Sequence, residues 1–469
     1  MSTLQFPPGF RWGTATSSFQ IEGAAELRAD SIWDEFCRVP GAIADGSDGR
    51  VAIDHFHRYA EDVALMASLG LDTYRFSVSW PRVLRPDGSA DPAGMGFYDA
   101  LVDALCAAGI RPWLTLYHWD LPAWLPGGWT SRATADAFAD YALRVHDVLG
   151  DRVRVWTTLN EPWCASFLSY AGGQHAPGHT DPAQAYEAAH HLLLGHGLAV
   201  RALRAADPGA TLGLTLNFTP AYAADPDDPA DADVVRRVDG TAHRIFTEAV
   251  FRGAYPADVI ADAGVAWPSD RVREGDLALI SAPIDVLGVN YYTSQLLRSD
   301  APAAGPTPHP SARDAVAVER PWLERTAMGW EVTPDAFRDL LLRLHRDYTG
   351  PAGIPLAITE NGCASDDPDP ASGSIDDRER IDYLYGHLRA VHSAIEAGAR
   401  VDTYLVWSLI DNFEWAFGYT KRFGLVAVDG ALDRVPKASA GWYAELCRTG
   451  TLTPAGEAAP RHEGRQGRR

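Results

Sequence analysis

Apolar and polar positions along the chain follow two alternating patterns. Short, largely apolar runs rich in β-branched and aromatic residues recur from one end to the other: "FRWGTATSSFQ", "TYRFSVSW", "RPWLTLYHW", "RVRVWTTLN", "TLGLTLNF", "IDVLGVNYY", "PLAITEN" and "VDTYLVWSLI". These read as buried strands. Between them lie amphipathic stretches with helical period, among them "HFHRYAEDVALMASLG", "YDALVDALCAAG", "ATADAFADYALRVHDVLG" and "RERIDYLYGHLRAVHSAIEAG". Strands that alternate with helices predict βαβ units and a parallel sheet. Eight such units predict an α/β fold of one class, a single (β/α)8 TIM barrel with long post-strand loops. A doubly wound sheet is the alternative, but no glycine-rich phosphate loop follows the first strand.

The segments rich in Pro, Asp, Gly and Ser, "QHAPGHTDP", "YAADPDDPADAD", "PAAGPTPHPSARD" and "ASDDPDPASGS", each follow a strand rather than a helix. They read as loops on the one barrel face where active sites are built. None reads as an interdomain linker. Residues 1–450 are expected to form one catalytic barrel, and 451–469, polar and basic, a disordered tail.

Composition narrows the class. With 469 residues, 46% hydrophobic and 22% charged, the chain can bury a large core. A net charge of −21 repels phosphates and anionic membranes, which excludes nucleic acid and membrane partners. Its five cysteines form no CxxC pair and no metal-type spacing, so reduced thiols in a cytoplasmic protein are expected. The start, "MSTLQFPPGF", has neither a basic nor an apolar leader region, and no run is long enough to span a membrane. Nothing in the chain specifies an oligomeric state.

A barrel gathers the strand ends at one mouth. There the sequence places Gln20, Arg75, His118 with Trp119, Asn160 with Glu161, Asn290 with Tyr292, Glu360 and Trp407, and just beyond the last strand Glu414 and Trp415. Two carboxylates, several amide and imidazole groups and many aromatics suit a sugar: hydroxyls take polar partners and the C–H faces of the ring take aromatic surface. Glycoside cleavage needs one carboxylic acid to protonate the leaving oxygen and a second carboxylate at the anomeric carbon.

The chain resembles glycoside hydrolase family 1, the family of β-glucosidases and related retaining enzymes. The resemblance runs from about Phe6 to Cys447 and rests on "FRWGTATSSFQIEG", "YRFSVSWPR", "YHWDLP", "TLNEP", "NYYT", "ITENG" and "WSLIDNFEWAFGY", present in the family's order. It implies Glu161 as general acid and then base, and Glu360 as the nucleophile. Arg75 and Tyr292, with Asn290 beside them, would support Glu360. Gln20, His118, Trp119, Asn160, Glu414 and Trp415 would bind the sugar hydroxyls, Asn160 at the 2-hydroxyl, with Trp407 as the platform under the ring. Phe423 joins the substrate-binding set, and Trp330, with Trp163, would line the leaving-group side. No cofactor and no metal are implied, and the only partner is a small-molecule β-glycoside.

Competing readings are a 6-phospho-β-glycosidase, a catalytically dead sugar binder and a metal-dependent hydrolase. The first would need cations where Glu414 stands, the second the loss of a glutamate, and the third a His/Asp ligand set. His190, His191 and His196 in "AHHLLLGHG" read as structural, and Cys164 and Cys363 as small thiols packed behind the pocket.

Overall fold

All eight expected strands form, and they close on themselves. β1 (Arg11–Ala15), β2 (Thr73–Ser77), β3 (Arg111–Tyr117), β4 (Val155–Asn160), β5 (Thr211–Phe218), β6 (Val286–Tyr291), β7 (Leu356–Asn361) and β8 (Val401–Trp407) make a closed barrel in chain order. Every neighbouring pair is parallel. The structure is a computed structural model that describes residues 3–454 except 369, 371, 372 and 374.

The helices that return the chain are α1 (His55–Ser68), α2 (Pro92–Ala107), α3 (Arg132–Leu149), α4 (Pro182–Ala206), α5 (Ile245–Arg252), α6 (Pro334–Leu344), α7 (Arg378–Glu396) and α8 (Ala438–Thr449). Asp-Pro pairs start two of them. Asp91 caps α2 through the amides of Ala93 and Gly94, and Asp181 caps α4 through Ala183, with proline at the first helical position in each. The same device corrects one loop reading. Asp228 caps a helix at Pro229–Asp239, so "YAADPDDPADAD" is half loop and half helix start.

The barrel lumen is filled, not open. Trp113, Val155, Val286, Ala357 and Leu405 from five strands pack in one cluster with Trp407 and Phe423, forming an apolar floor under the mouth. In α4, His190 sits between Tyr255 and Asp276, His191 reaches the Trp129 carbonyl and His196 meets Thr158, so each of the three histidines has a protein partner. No group of three or more His, Cys, Asp or Glu side chains suited to a metal occurs among the described residues.

The expected tail begins too early at 451. Leu4 pairs with Leu452 and Gln5 with Thr451 in a short antiparallel ladder, and Leu452 is fully buried. An apolar residue with a strand partner does not stay solvated. Residues 455–469 lie outside the described residues, as do four positions of the loop "ASDDPDPASGS". Among the described residues no helix is long and apolar enough to cross a membrane.

Candidate active site

The two strands that end in glutamate lose register where the glutamate stands. β4 shifts against β5 between Thr157 and Asn160, and β7 shifts against β6 between Ile358 and Glu360. Such irregularities turn side chains out of the regular in–out alternation. Glu161, one residue past β4, has φ of 49°, in the left-handed region that disfavours a side chain. Trp119 and Trp415 share that region, with φ of 76° and 49°. The backbone at the mouth is therefore bent in several places to aim side chains inward.

They are aimed into a cavity of about 970 Å³, lined among others by His118, Trp119, Glu161, Asn290, Tyr292, Glu360, Trp407, Glu414, Trp415 and Phe423. At its base runs a continuous hydrogen-bonded chain. Arg75, with no exposed side-chain surface, donates to Glu360 Oε1 and to Asn160 Oδ1, both at 2.6 Å. Tyr292 donates its hydroxyl to Glu360 Oε2 at 2.7 Å. Asn290 Nδ2 donates to Glu161 Oε1 at 2.6 Å and to Asn160 Oδ1 at 3.1 Å. Thr359 in turn donates to Asn290 Oδ1 at 2.7 Å, which fixes the orientation of that amide.

The two glutamates thus have unlike surroundings. Glu360 touches a guanidinium; Glu161 touches only neutral donors. Burial, and then the charge of Glu360, push Glu161 up to about 7. Burial also raises Glu360, but Arg75 and the Tyr292 hydroxyl pull it back. Of the pair, Glu161 holds the proton. One buried carboxylic acid beside one buried carboxylate can protonate a leaving oxygen and attack a carbon from a single cavity.

Several residues sit differently from the sequence expectation. Asn290 serves Glu161 more directly than Glu360. Gln20 is fully buried and donates to Asn412 Oδ1 and the Phe413 carbonyl while Ser17 donates to its Oε1, so it braces the wall behind Glu414. Trp119 donates its indole N–H to the Asn160 carbonyl at 2.9 Å, which fixes the ring and spends its only donor. Cys164 is more than packing: its thiol donates to Glu161 Oε2 at 3.0 Å. Cys363 does pack, with its thiol 3.9 Å from Ser365 Oγ.

Four buried polar atoms at the cavity have no protein partner among the described residues: His118 Nδ1, Trp163 Nε1, His309 Nδ1 and Glu414 Oε2. His118 takes Asn160 at Nε2, and burial followed by Arg75 pushes its imidazole well below the ordinary range, so the ring is neutral. Burial, and then Glu360 and Glu161, push Glu414 up to about 8. Glu414, where a negative charge was expected, is therefore held toward its protonated form. An unpaired neutral imidazole nitrogen and an unpaired carboxyl oxygen facing one cavity suit hydroxyl groups. Arg325 is the one cation lining the cavity among the described residues, and it is bonded to Glu331. Among the described residues that line the cavity, no cation is free for a phosphate.

Aromatic surface completes the site. His118 stacks 5.7 Å from Trp407 at 21°, and Trp119 lies 4.6 Å from Trp415. A Cβ on Gly362 would fall 1.9 Å from the Trp407 carbonyl oxygen, so only glycine lets β7 and β8 approach closely enough to seat that ring. Trp330 and Phe423 flank Tyr292 on the other side, with ring centroids 5.5 and 5.9 Å from it. Trp163 stacks on His309 at 5.3 Å, and both line the cavity with His175. Sequence reading missed His175 and His309. They lie in loops recognisable as post-strand segments, but no periodicity marks which loop side chain turns inward.

A family model described as glycosyl hydrolase family 1 matches residues 2–451. The chain belongs to glycosyl hydrolase family 1. It is accordingly a glycoside hydrolase. Thermostable beta-glucosidase B of Thermobispora bispora is 50% identical over 456 residues, covering 96% of this chain and 92% of that protein. A bifunctional beta-D-glucosidase/beta-D-fucosidase of Bifidobacterium breve is 45% identical, covering 94% of this chain and 98% of that one. Among solved structures, the psychrophilic beta-glucosidase from Micrococcus antarcticus superposes with a TM-score of 0.92 at 46% identity, covering 95% and 98% of the two chains.

Proposed function

We propose that this family 1 hydrolase is a retaining β-glucosidase that removes terminal non-reducing β-D-glucosyl residues, with Glu360 as nucleophile and Glu161 as acid/base. The asymmetry between the two glutamates carries the assignment. Glu360, held by Arg75 and Tyr292, is the group kept ready to attack the anomeric carbon. Glu161, pushed up to about 7, holds a proton for the departing oxygen. Once Glu360 is esterified its charge is gone and the second cause of the raised Glu161 value disappears, so Glu161, its proton delivered to the departing oxygen, stays ionised. It then takes a proton from the water that attacks the glycosyl-enzyme, and Glu360 leaves as carboxylate.

Trp407 forms the platform under the sugar, with His118 Nδ1, Asn160 and Glu414 offered to its hydroxyls and Trp415 beside them; Trp330, Trp163 and Phe423 border the aglycone. Residues 4–452, whose two ends pair with each other, act as one catalytic domain. Cellobiose and aryl β-glucosides are the expected substrates, in the cytoplasm, where the five free cysteines would stay reduced. The bifunctional relative supports side activity on β-fucosides, and the same pocket chemistry extends the expectation to β-galactosides and to transglycosylation.

The test is a rate panel on the purified protein with nitrophenyl β-glucoside, β-galactoside, β-fucoside, 6-phospho-β-glucoside and α-glucoside. Fast turnover of the β-glucoside, with the α-glucoside and the phosphorylated sugar inert, is expected. Silence on every unphosphorylated β-sugar would overturn the proposal.

A further inference from the structure

The chain does not continue from Glu161 into an ordinary α-helix. Residues Cys164–Ala171 wind as a wider π-helix, and Ser169 Oγ donates to the Cys164 carbonyl at 2.9 Å across the extra residue. The left-handed kink at Glu161 precedes this winding, and Cys164, its first residue, lies beneath the carboxylate. Its Sγ lies 3.0 Å from Glu161 Oε2, while Asn290 occupies Oε1. The thiol is 6% exposed and borders the cavity. Burial and the neighbouring Glu161 both push its pKa well above that of a free thiol, so it keeps its hydrogen.

We propose that Cys164 is a positioning residue for Glu161, its S–H holding Oε2 in the carboxylate state that the second half of the reaction requires. The proposal rests on the reading of Glu161 as acid/base. The choice of sulfur has a physical logic. Glu161 must be protonated in one half-reaction and ionised in the other. A strong donor such as a hydroxyl would hold the carboxylate too firmly to leave an acid at neutral pH. A hydrocarbon would leave Oε2 buried without a donor and hold the proton too firmly. The thiol, a weak donor that tolerates burial, sits between these. The titratable and charged groups facing Glu161 are Glu360 and Tyr292 across the cavity, Arg75 behind Asn160, and Glu414 on the loop after β8. None is altered by a change at position 164.

The experiment compares wild type with Cys164→Ala and Cys164→Ser through two pH profiles. The first is kcat/KM for nitrophenyl β-glucoside, whose alkaline limb reports loss of the acid. The second is kcat for the dinitrophenyl β-glucoside, whose good leaving group makes the second half-reaction limiting, so its acid limb reports ionisation of the base. Removing a donor to the carboxylate raises proton affinity. Cys164→Ala is therefore expected to move both limbs upward by about half a pH unit, and Cys164→Ser to move both downward. The acid limb of kcat/KM, set by Glu360, should stay in place. Limbs that coincide in all three proteins, whatever happens to the melting temperature, would overturn the proposal. Should the alanine variant fail to fold, the direction of the serine shift decides by itself. Glu161→Gln separates the two levels: an alkaline limb that survives in that variant refutes the acid/base reading, whereas its loss, with unmoved limbs at position 164, refutes only the role of Cys164.

Discussion

Tyr292→Phe deletes a single hydroxyl and leaves the ring that packs between Trp330 and Phe423. That hydroxyl donates to Glu360 Oε2 at 2.7 Å, while Arg75 holds Oε1 at 2.6 Å. A hydrogen bond to a charged group contributes about 1.5–3 kcal/mol. At 1.36 kcal/mol per pH unit, its loss raises the proton affinity of Glu360 by roughly 1–2 units. The sign is fixed by which form accepts the bond. The carboxylate accepts it and the variant cannot supply it, so the protonated, inactive nucleophile persists to higher pH. The acid limb of kcat/KM should move up by that amount, narrowing the bell from its acid side. The assay is kcat/KM for nitrophenyl β-glucoside across the working pH range, with a melting curve to show that the fold is intact. An acid limb that stays in place or moves down, in a folded variant, would show that Tyr292 does not stabilise the ionised nucleophile.

Three further expectations follow from the same geometry. Glu360→Gln should lower turnover by at least about 10⁴-fold with an unchanged circular dichroism spectrum; near-normal rates would remove Glu360 from the mechanism. Glu161→Gly should lose about 10²–10⁴-fold on substrates with poor leaving groups, and azide should restore turnover of an activated aryl glucoside, giving a β-glycosyl azide detectable by mass spectrometry. Lys437 is fully buried between Asp367 at 2.6 Å and Asp411 at 2.8 Å, so Lys437→Met should cost about 3–5 kcal/mol in denaturant unfolding, and a loss under 1 kcal/mol would contradict that.

The barrel was legible because each strand is a short apolar run separated by helical periods, and both patterns survive without tertiary information. The two glutamates were legible because they interrupt such runs. What the sequence did not carry is the direction of individual bonds. Gln20 and Trp119 have the right chemistry for hydroxyls, yet their donors turn toward Phe413, Asn412 and Asn160, which only the folded backbone decides. Cys164 read as filler because a thiol three residues past a glutamate points anywhere in principle; the kinked backbone at Glu161 sets it as a donor to the carboxylate. The tail was set too early because the strand at Thr451 and Leu452 is too short to show periodicity and exists only through its partner at Leu4 and Gln5.

Trp119, Glu161 and Trp415 keep left-handed backbones that a side chain resists, at about 1–2 kcal/mol each. For directed evolution this sets a trap. A library sorted only for survival of heat will favour glycine at position 161, where glycine adopts the same φ without strain, and its most heat-resistant clones will lack the proton donor; at Trp119 and Trp415 the buried indole outweighs that strain. A screen that couples heat challenge to turnover keeps the strained residues and forces stabilising changes elsewhere in the chain.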